Sequence, residues 1–505
     1  MLSVTVSPEK RSIKDNDGST GQTPYASLNY DNVMEEVTMT PAISRLCFVF
    51  AFITGTHLAH AQDLGCPTAV ALNGGTIEVA ADASGDDTEN IQCALDAATD
   101  GGYRDVYLTS SNYSIGAIAV TGFVGDLRGR SKANTNVTIQ NDSLSCDGAT
   151  GVALEFRVGT ASVRNMTLSV DSPCGDGGSA SVIAYYSNPQ KCDNRTTFGN
   201  VDRVVINGVG TSGTDTVSGV RMEASPDCSA DNERILGTLK VNRSEINELD
   251  FGVISSVAGG GQVDVNYNTF DKVGLPLTII DAAQSTTVLT NTFNFNDVPG
   301  YPAGTGLGTT AVFIASTSKS PDKNSTTLKN NKFKDAGASS GGYGILAGQQ
   351  GSSIAHTMLV SANTFTGNAA NTAGAGLAAI DTNDGLVSGN RFSGKAGAWV
   401  DLRSGSTGSG YVGGSVSGWA IVANDFGASQ ATTDILLGTR TSGVIVGKNQ
   451  DRPIVEDQTG NNDVLESSAT SWTPAWGNAR GFNSADARSR FQQQLNTLMD
   501  VRKPR

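Results

Sequence analysis

A tripeptide motif, asparagine, any residue and phenylalanine, recurs six times in the second half of the chain. An apolar residue stands three positions before each asparagine, so the copies belong to one repeated unit. Successive copies are 23 to 40 residues apart. This variable spacing favours a coil of β-strands, because insertions enter the turns, over a helical repeat of fixed length. The motifs are Asn268-Thr-Phe270, Asn291-Thr-Phe293, Asn331-Lys-Phe333, Asn363-Thr-Phe365, Asn390-Arg-Phe392 and Asn424-Asp-Phe426.

Each copy of the motif predicts the same three strands. One strand ends at the asparagine, a second begins at the phenylalanine, and a third follows a glycine-rich loop. Asparagine tolerates the backbone of a tight turn, and its amide can bond to the asparagines of neighbouring coils. The phenylalanine is predicted to point inward and to stack on its copies. The predicted third strands are Leu275–Asp281, Ala311–Ala315, Gly344–Ala347, Gly376–Asp381, Trp399–Arg403 and Asp434–Leu437.

The N-terminal part of the chain carries the pattern of one amphipathic helix. Asp86-Asp87-Thr88 is an N-cap cluster, apolar residues follow at helical spacing up to Ala98, and Gly101-Gly102 ends the helix. One helix before many short strands predicts a cap on a β-solenoid, whose end would otherwise expose open strand edges. A second amphipathic stretch, with Phe491 and Leu495 on one face, predicts a short C-terminal helix.

Between about residues 75 and 460, the chain resembles the pectin-lyase-like superfamily. The repeat carries this resemblance, together with Gly85-Asp-Asp-Thr-Glu-Asn-Ile-Gln92 and the glycine-rich bend that follows it. The resemblance implies an all-β fold, a right-handed parallel β-helix, with an N-terminal capping helix. It also implies that an active site would lie along the third strands. It implies no particular activity, because the superfamily includes lyases, hydrolases, epimerases and non-catalytic adhesins.

The first 61 residues predict a targeting segment. Residues 39–61 have the form of a secretory signal, with an apolar run from Leu46 to Leu58 and a cleavage site at Ala59-His60-Ala61. Residues 1–38 are interpreted as a mis-called start or a leader. We therefore expect a secreted or periplasmic protein without a membrane span after cleavage. The other expected boundaries are 62–145 for the cap and first coils, 146–465 for the β-helix and 466–505 for the tail.

Six cysteines remain once Cys47 leaves with the signal. An even number in an exported chain predicts three disulfides. Six cysteines allow fifteen pairings. The pairing that we favour is Cys66–Cys93, Cys146–Cys174 and Cys192–Cys228.

Charge and histidine content restrict the function classes. The formal net charge is −14, which argues against nucleic acid as a partner because phosphate binding needs a basic surface. An acidic polysaccharide can still bind through a divalent cation or a local arginine cluster. His356 is the only histidine after the signal, which argues against a histidine zinc site and a Ser-His-Asp triad. The sequence does not indicate an oligomeric state.

Several third strands share the pattern apolar-apolar-Asp, and two of these lie in consecutive coils. If Ile380 and Val400 face inward, Asp381 and Asp401 face outward, with their Cα atoms about 5 Å apart. Two carboxylates at this distance raise one pKa, which a glycosidase acid needs. Asp381, Asp401 and Arg403 are therefore the predicted catalytic residues.

Two further polar residues are predicted beside this pair. Asn383 is expected on the same outward face as Arg403 and is assigned to substrate binding, with Asp384 nearby. In the alternative lyase interpretation, Asp381 and Asp384 hold Ca²⁺ while Arg403 is the base or the uronate clamp. The competing interpretation is that the aspartates are solvated strand ends balanced by neighbouring cations.

A second candidate substrate-binding site combines Arg221 and Glu223 with Tyr185 and Tyr186 from one coil earlier. Tyrosine and arginine are plausible lyase bases, and tyrosine rings stack on sugars. The competing interpretation is a surface ion pair beside half-buried aromatic rings.

No motif specific to one enzyme family is present. The Gly-His-Gly and Arg-Ile-Lys motifs of polygalacturonases are absent, and Trp399-Val400-Asp401-Leu402 lacks the histidine of the similar pectate lyase motif. The leading hypothesis is a secreted polysaccharide lyase or glycoside hydrolase that acts on an acidic polysaccharide. The alternative is a non-catalytic, polysaccharide-binding or cell-surface β-helix protein.

Overall fold

The computed structural model describes residues 62–464 except 73–74, 141–149, 171–178, 188–192, 195–196, 211–215, 224–233, 236, 257–260, 281–284, 296–309, 316–323, 337–342, 349–353, 368–373, 381, 404–414 and 452. Asp381, the cysteines of the second and third predicted disulfides, the signal segment and the C-terminal helix lie outside the described residues.

The chain winds into a right-handed parallel β-helix, which confirms the predicted fold class. Two long sheets run along the axis, one of 25 strands and one of 12 strands. Among the described strands, pairing is parallel apart from two antiparallel pairings at the N-terminal end, β1 with β2 and β2 with β3. The first strands are β1 (Gln62–Asp63), β2 (Ala69–Leu72) and β3 (Thr76–Val79).

Most coils contribute two of the remaining strands of the 25-stranded sheet. They are β4 (Asp105–Leu108), β5 (Asn112–Ile115), β7 (Val124–Arg128), β8 (Asn136–Ile139), β10 (Gly159–Val170), β13 (Thr197–Asn207), β16 (Thr238–Asn242), β17 (Glu245–Asn247), β19 (Gln262–Asn266), β20 (Thr269–Asp271), β22 (Ser285–Leu289), β23 (Thr292–Asn294), β25 (Asn324–Lys329), β26 (Lys332–Ala336), β28 (Ile354–Ser361), β29 (Thr364–Gly367), β31 (Thr382–Ser388), β32 (Arg391–Gly394), β35 (Trp419–Val422), β36 (Asp425–Ser429), β39 (Ile445–Gly447) and β41 (Asp463–Val464).

The 12-stranded sheet contains the predicted third strands, each confirmed to within one residue at either end. Its members are β6 (Ile118–Thr121), β9 (Thr150–Arg157), β11 (Ser179–Tyr186), β14 (Thr216–Glu223), β18 (Phe251–Ser256), β21 (Leu275–Ile280), β24 (Thr310–Ala315), β27 (Tyr343–Ala347), β30 (Ala375–Ile380), β33 (Ala398–Arg403), β37 (Thr433–Leu437) and β40 (Val455–Asp457). Two short pairs complete the strands: β12 (Asp193–Asn194) with β15 (Arg234–Ile235), and β34 (Val416–Ser417) with β38 (Thr441–Ser442).

The repeated asparagines form the predicted ladder inside the coil. At Asn331 the side-chain Nδ2 donates to Asn363 Oδ1 at 3.0 Å and to the Val288 carbonyl at 2.8 Å. The ladder extends one coil beyond the six motifs, to Asn449. One detail of the prediction is wrong: the left-handed turn residue is the one before the asparagine, for example Asn330 with φ 58°. The asparagine is therefore selected for its side-chain bonds rather than for its backbone.

The repeated phenylalanines form the predicted stack. Phe333 and Phe365 have ring centroids 4.5 Å apart and planes within 5° of parallel, and both rings are fully buried. Stacked aromatic rings add about 0.5–1.5 kcal/mol beyond the burial of their apolar area. The ladder and the stack together hold successive coils in register.

The N-terminal cap agrees with the predicted helix. Helix α1 spans Thr88–Gly101, buries Ile91, Ala94, Leu95 and Ala98, and ends at Gly102 with φ 70°. Asp87 accepts bonds from the Asp82 and Ser114 amides at 2.6 and 2.9 Å, which ties the start of the helix to its surroundings.

The disulfide Cys66–Cys93 joins the chain before strand β2 to helix α1, as predicted. Among the described residues, no helix is long and apolar enough to cross a membrane.

Candidate functional site

The outward face of the 12-stranded sheet presents two columns of side chains, because alternate residues of a strand point to opposite faces. Strand β33 shows the pattern: Val400 and Leu402 are fully buried inside the coil, whereas Asp401 and Arg403 point outward. The strand register places the following residues in the first column: Glu155, Ala184, Arg221, Ile254, Thr278, Phe313, Leu346, Ala378 and Asp401.

Three pairs of one acid and one arginine, two positions apart on a strand, stand in these columns. Glu155 is hydrogen-bonded to Arg157 on β9. Arg221 Nη1 lies 3.1 Å from Glu223 Oε1 on β14. Arg403 Nη2 lies 3.3 Å from Asp401 Oδ2 on β33. The first two pairs lie close together, and the third lies toward the C-terminal end of the same face.

Tyr186 lies between the first two ion pairs. It stands in the second column, which lies two residues further along each strand than the first. There the register aligns Tyr186 with Arg157 on one side and with Glu223 on the other. We call Glu155, Arg157, Tyr186, Arg221 and Glu223 the Tyr186 cluster. It combines a phenol, two carboxylates and two guanidinium groups from three successive strands of one sheet.

The Tyr186 cluster is largely shielded from solvent. Tyr186 is 2% exposed and packs with Val152 and Ala184, and the Arg221 side chain is 13% exposed. Burial raises the pKa of Tyr186 above its ordinary value; Glu223 adds to this rise and Arg221 opposes it. The hydroxyl therefore keeps its proton at neutral pH. Desolvated charges are costly unless they are paired, and perturbed ionisable groups of this kind concentrate at functional sites.

Tyr185 does not belong to this site, which corrects its assignment to substrate binding. It points into the coil and is fully buried, with its ring centroid 5.6 Å from that of Phe156. Its hydroxyl donates to the Asn200 carbonyl at 3.3 Å, and burial raises its pKa. Neighbouring residues of a strand face opposite sides, so only one of the two tyrosines can reach the outer face.

A separate polar group lies around Asp401. Its side chain is 8% exposed, Oδ2 faces Arg403, and Oδ1 is buried without a hydrogen-bond partner among the described residues. Arg403 Nη2 also donates to the Tyr343 hydroxyl at 3.3 Å. Burial raises the pKa of Asp401, and the nearby Arg403 charge opposes this rise.

The predicted alignment of Asp381 with Asp401 is wrong. Asp401 pairs in register with Ala378, and Arg403 pairs with Ile380. The two apolar-apolar-Asp patterns are therefore offset by three residues rather than aligned. The position of Asp381 itself lies outside the described residues.

Asn383 and Asp384 are also misplaced by the prediction, because they belong to β31 of the 25-stranded sheet rather than to the face of Arg403. Asn383 Oδ1 accepts bonds from the Ser417 amide and hydroxyl at 2.9 and 3.0 Å, so it joins two coils. Asp384 is exposed, with φ 63°.

The described residues do not assemble the predicted calcium site. Ca²⁺ takes six to eight oxygen ligands, supplied largely by carboxylates. No group of three or more His, Cys, Asp or Glu side chains comes together in the part of the chain that the structure describes. His356 contributes its backbone to β28, in register with Asn324.

Sequence reasoning missed Glu155, Arg157 and Tyr343. The first two carry a recognisable signal, because Glu155-Phe-Arg157, Arg221-Met-Glu223 and Asp401-Leu-Arg403 share one pattern at the ends of strands. An acid and an arginine two positions apart on a strand must share a face. Comparing the strand ends for this pattern would have found all three pairs.

Replacement of Asp401 with asparagine is expected to stabilise the protein at neutral pH. A carboxyl whose pKa is raised by folding favours the folded state when protonated, and this contribution is lost as pH rises through the raised pKa. Thermal melting at pH 7 should show the gain for Asp401→Asn. At pH 3, below the ordinary aspartate pKa of about 3.9, the gain should vanish. Asp425→Asn, at an exposed ion pair, is the control and should show no gain; a loss for Asp401→Asn at both pH values would contradict the prediction.

Comparison with known proteins finds distant structural similarity and no sequence match. No protein-family model matches the chain, and no curated protein matches its sequence. Among solved structures, it is similar to the A-module of the mannuronan C-5 epimerase AlgE4 from Azotobacter vinelandii, with a TM-score of 0.41 and 13% identity over 76% of this chain and 96% of that chain. The AlgE6 A-module from the same organism gives 0.38 and 13% over 77% and 97%.

Proposed function

We propose that the protein is a carbohydrate-active enzyme that abstracts a proton beside the carboxylate of a uronate in an acidic polysaccharide. The observation that carries this proposal is the Tyr186 cluster, in which a protonated phenol lies within electrostatic range of two arginines and two glutamates. Arginine binds carboxylates in a bidentate manner, which suits a uronate substrate. The net negative charge of the chain is compatible with an acidic substrate, because Arg157 and Arg221 place positive charge at this site.

Each member of the cluster has a role in such a reaction. Arg221 and Arg157 hold the uronate carboxylate and stabilise the negative charge that develops on it as the adjacent C–H bond breaks. Glu223, beside Tyr186 in the second column, accepts that proton. The electron pair forms a carbon–carbon double bond while the neighbouring glycosidic C–O bond breaks. The leaving oxygen takes the Tyr186 proton, and the protonated Glu223 returns a proton to the tyrosine.

Elimination is favoured over glycoside hydrolysis by the ion pairing of the carboxylates in the cluster. A hydrolase needs a general acid whose pKa lies near the working pH, usually a carboxyl group beside a second carboxylate. Glu155 and Glu223 each pair with an arginine instead. An arginine suits proton abstraction beside a uronate carboxylate, because it stabilises the negative charge that develops there.

A non-catalytic rod remains the second candidate function, because one observation favours it. Between Arg221 and Asp401, the described residues of the first outward column offer no ionisable group: they are Ile254, Thr278, Phe313, Leu346 and Ala378. A uniform stretch of this kind suits a surface or binding protein. Either function fits a secreted or periplasmic location, which the disulfide Cys66–Cys93 supports because disulfides persist in oxidising compartments.

The test is a panel of polyuronates and neutral polysaccharides, with and without Ca²⁺. Products are read by the ultraviolet absorbance of unsaturated ends, by reducing sugar, and by the NMR signal of the C5 configuration. We expect turnover of at least one polyuronate, no turnover of neutral polymers, and a loss of about 10²–10³-fold in Arg221→Ala, as for removal of one charge-stabilising donor. Arg203→Ala, at an exposed arginine of β13 on the other sheet, is the control and should retain activity. No product on any polymer would support the rod instead.

A further inference from the structure

We propose that Asp401, Arg403 and Tyr343 form a second carbohydrate-binding site, which takes an uncharged sugar residue through its hydroxyl groups. This Asp401 site is distinct from the Tyr186 cluster. It rests on the proposed function only in that its ligand is part of a polysaccharide.

The first observation concerns a hydrogen-bond acceptor, the Oδ1 atom of Asp401. Asp401 Oδ1 is buried and receives no hydrogen bond from any residue that the structure describes, although the side chain is only 8% exposed. Buried polar atoms are almost always paired, because an unmade hydrogen bond leaves the desolvation of the group uncompensated. A carboxylate oxygen accepts hydrogen bonds only, so its missing partner is a donor. Sugar hydroxyl groups are donors of suitable size.

The second observation is the surface beside this oxygen. Tyr343 and Ile380 pack against an outward apolar group that includes Leu346 and Ala378, and the register aligns Ala378 with Asp401. Arg403 donates to the Tyr343 hydroxyl and remains 41% exposed, so it retains donors for a ligand. A carboxylate acceptor, a guanidinium donor and an aromatic group meet here on one face, and together they can bind the polar edges and the apolar face of a sugar ring.

The net charge of the Asp401 site indicates the class of ligand that it can bind. Asp401 and Arg403 neutralise each other, so the site offers no net positive charge to a uronate carboxylate. A metal ion would need further acidic ligands, and none of the described residues gathers three of them at one place. The remaining ligand class is an uncharged sugar residue with several hydroxyl groups.

The Asp401 site lies on the same face as the Tyr186 cluster, and Asp401 and Arg403 stand in the same two columns. Six strand-to-strand steps separate β14 from β33, which corresponds to about 29 Å at the usual spacing between strands. One polymer chain running along the axis can therefore contact both sites. Simultaneous binding at two linked sites increases the apparent affinity for a long chain over a short one.

The experiment measures binding rather than turnover. Isothermal titration calorimetry with neutral cello-, manno- and galacto-oligosaccharides is expected to show binding of at least one by the wild-type protein. Asp401→Asn and Arg403→Gln should each weaken that binding at least tenfold. Asp425→Asn and Arg391→Gln remove an exposed ion pair elsewhere and should leave it unchanged. Thermal melting confirms that each variant is folded.

Two outcomes would overturn the proposal: no binding of any neutral oligosaccharide by the wild-type protein, or unchanged binding in both site variants. Failure of the proposed function has a different signature, because it would leave neutral-sugar binding intact while no polyuronate is turned over. The two proposals therefore fail independently.

Discussion

Replacement of Asn331 with alanine is expected to lower the free energy of unfolding by about 3–5 kcal/mol, since each buried group left unpaired costs about 1–3 kcal/mol and a cavity adds to this. Asn331 is 1% exposed and lies inside the ladder, with an asparagine of the ladder on either side. Its Oδ1 accepts from the Asn291 amide at 2.9 Å and from Asn291 Nδ2 at 3.0 Å. Its Nδ2 donates to Asn363 Oδ1 and to the Val288 carbonyl. Alanine removes all of these side-chain bonds and introduces no replacement.

Chemical denaturation followed by circular dichroism measures this effect. The matched control is Asn247→Ala, because Asn247 is only half-buried and its Nδ2 makes one bond to the previous coil, to Asn207 Oδ1 at 3.0 Å. We expect this variant to lose no more than about 1 kcal/mol, the usual net value of one hydrogen bond. Equal losses in the two variants would show that the buried ladder contributes no more than an outer contact.

The effect of Asn331→Ala should also be local. Each coil of a solenoid contacts mainly its neighbours, so stability is close to a sum of coil and interface contributions. Hydrogen exchange should therefore increase first in strands β23, β26 and β29, which surround the substituted position. A protein whose exchange rises uniformly along the axis would contradict this.

The sequence predicted the interior of the coil better than its outer face. The ladder and the stack are readable because the same inward residue recurs in each coil, as with Asn331 and Asn363. The third strands could be located to within a residue, since each is an apolar run between glycine-rich segments. Helix α1 was predictable because its apolar residues, its N-cap cluster and Gly102 mark the same boundaries.

The strand register could not be predicted, because part of the outer face is also apolar. Leu346, Ala378 and Ile380 point outward although their residue types suggest core positions. Alternation of apolar and polar residues is what normally reveals which face a residue occupies, and a shift in register changes every facing residue. The sequence pattern therefore predicts that Ile380 faces inward and that Asp381 aligns with Asp401, and the register contradicts both predictions.

The Tyr186 cluster could be predicted only in part, because its members come from three strands separated by segments of different lengths. Arg221, Glu223 and Tyr186 were found since they lie on neighbouring coils. Glu155 and Arg157 were missed because placing them beside Tyr186 requires the register of β9 against β11. A contact that depends on register is not contained in either strand alone.

Replacement of Tyr186 with phenylalanine is expected to reduce kcat on a polyuronate by about 10²–10⁴-fold, the usual contribution of a positioned proton-transfer group. KM should change little, since the arginines that hold the carboxylate remain. The substitution removes one hydroxyl from a buried ring, so the fold should be retained. Tyr107→Phe is the control: this ring lies on β4 of the other sheet beneath Arg128, and the variant should keep wild-type activity.

The pH profile distinguishes a proton donor from a structural tyrosine. Burial and Glu223 raise the pKa of Tyr186 above the ordinary value of about 10, so the donor keeps its proton through mildly alkaline pH. Wild-type kcat should therefore show no loss from tyrosine ionisation below pH 10. Arg221→Ala removes the charge that opposes this rise, so any residual activity should persist to still higher pH. Full activity of Tyr186→Phe across this range would remove the tyrosine from the mechanism and leave Glu223 with the arginines as the reacting group.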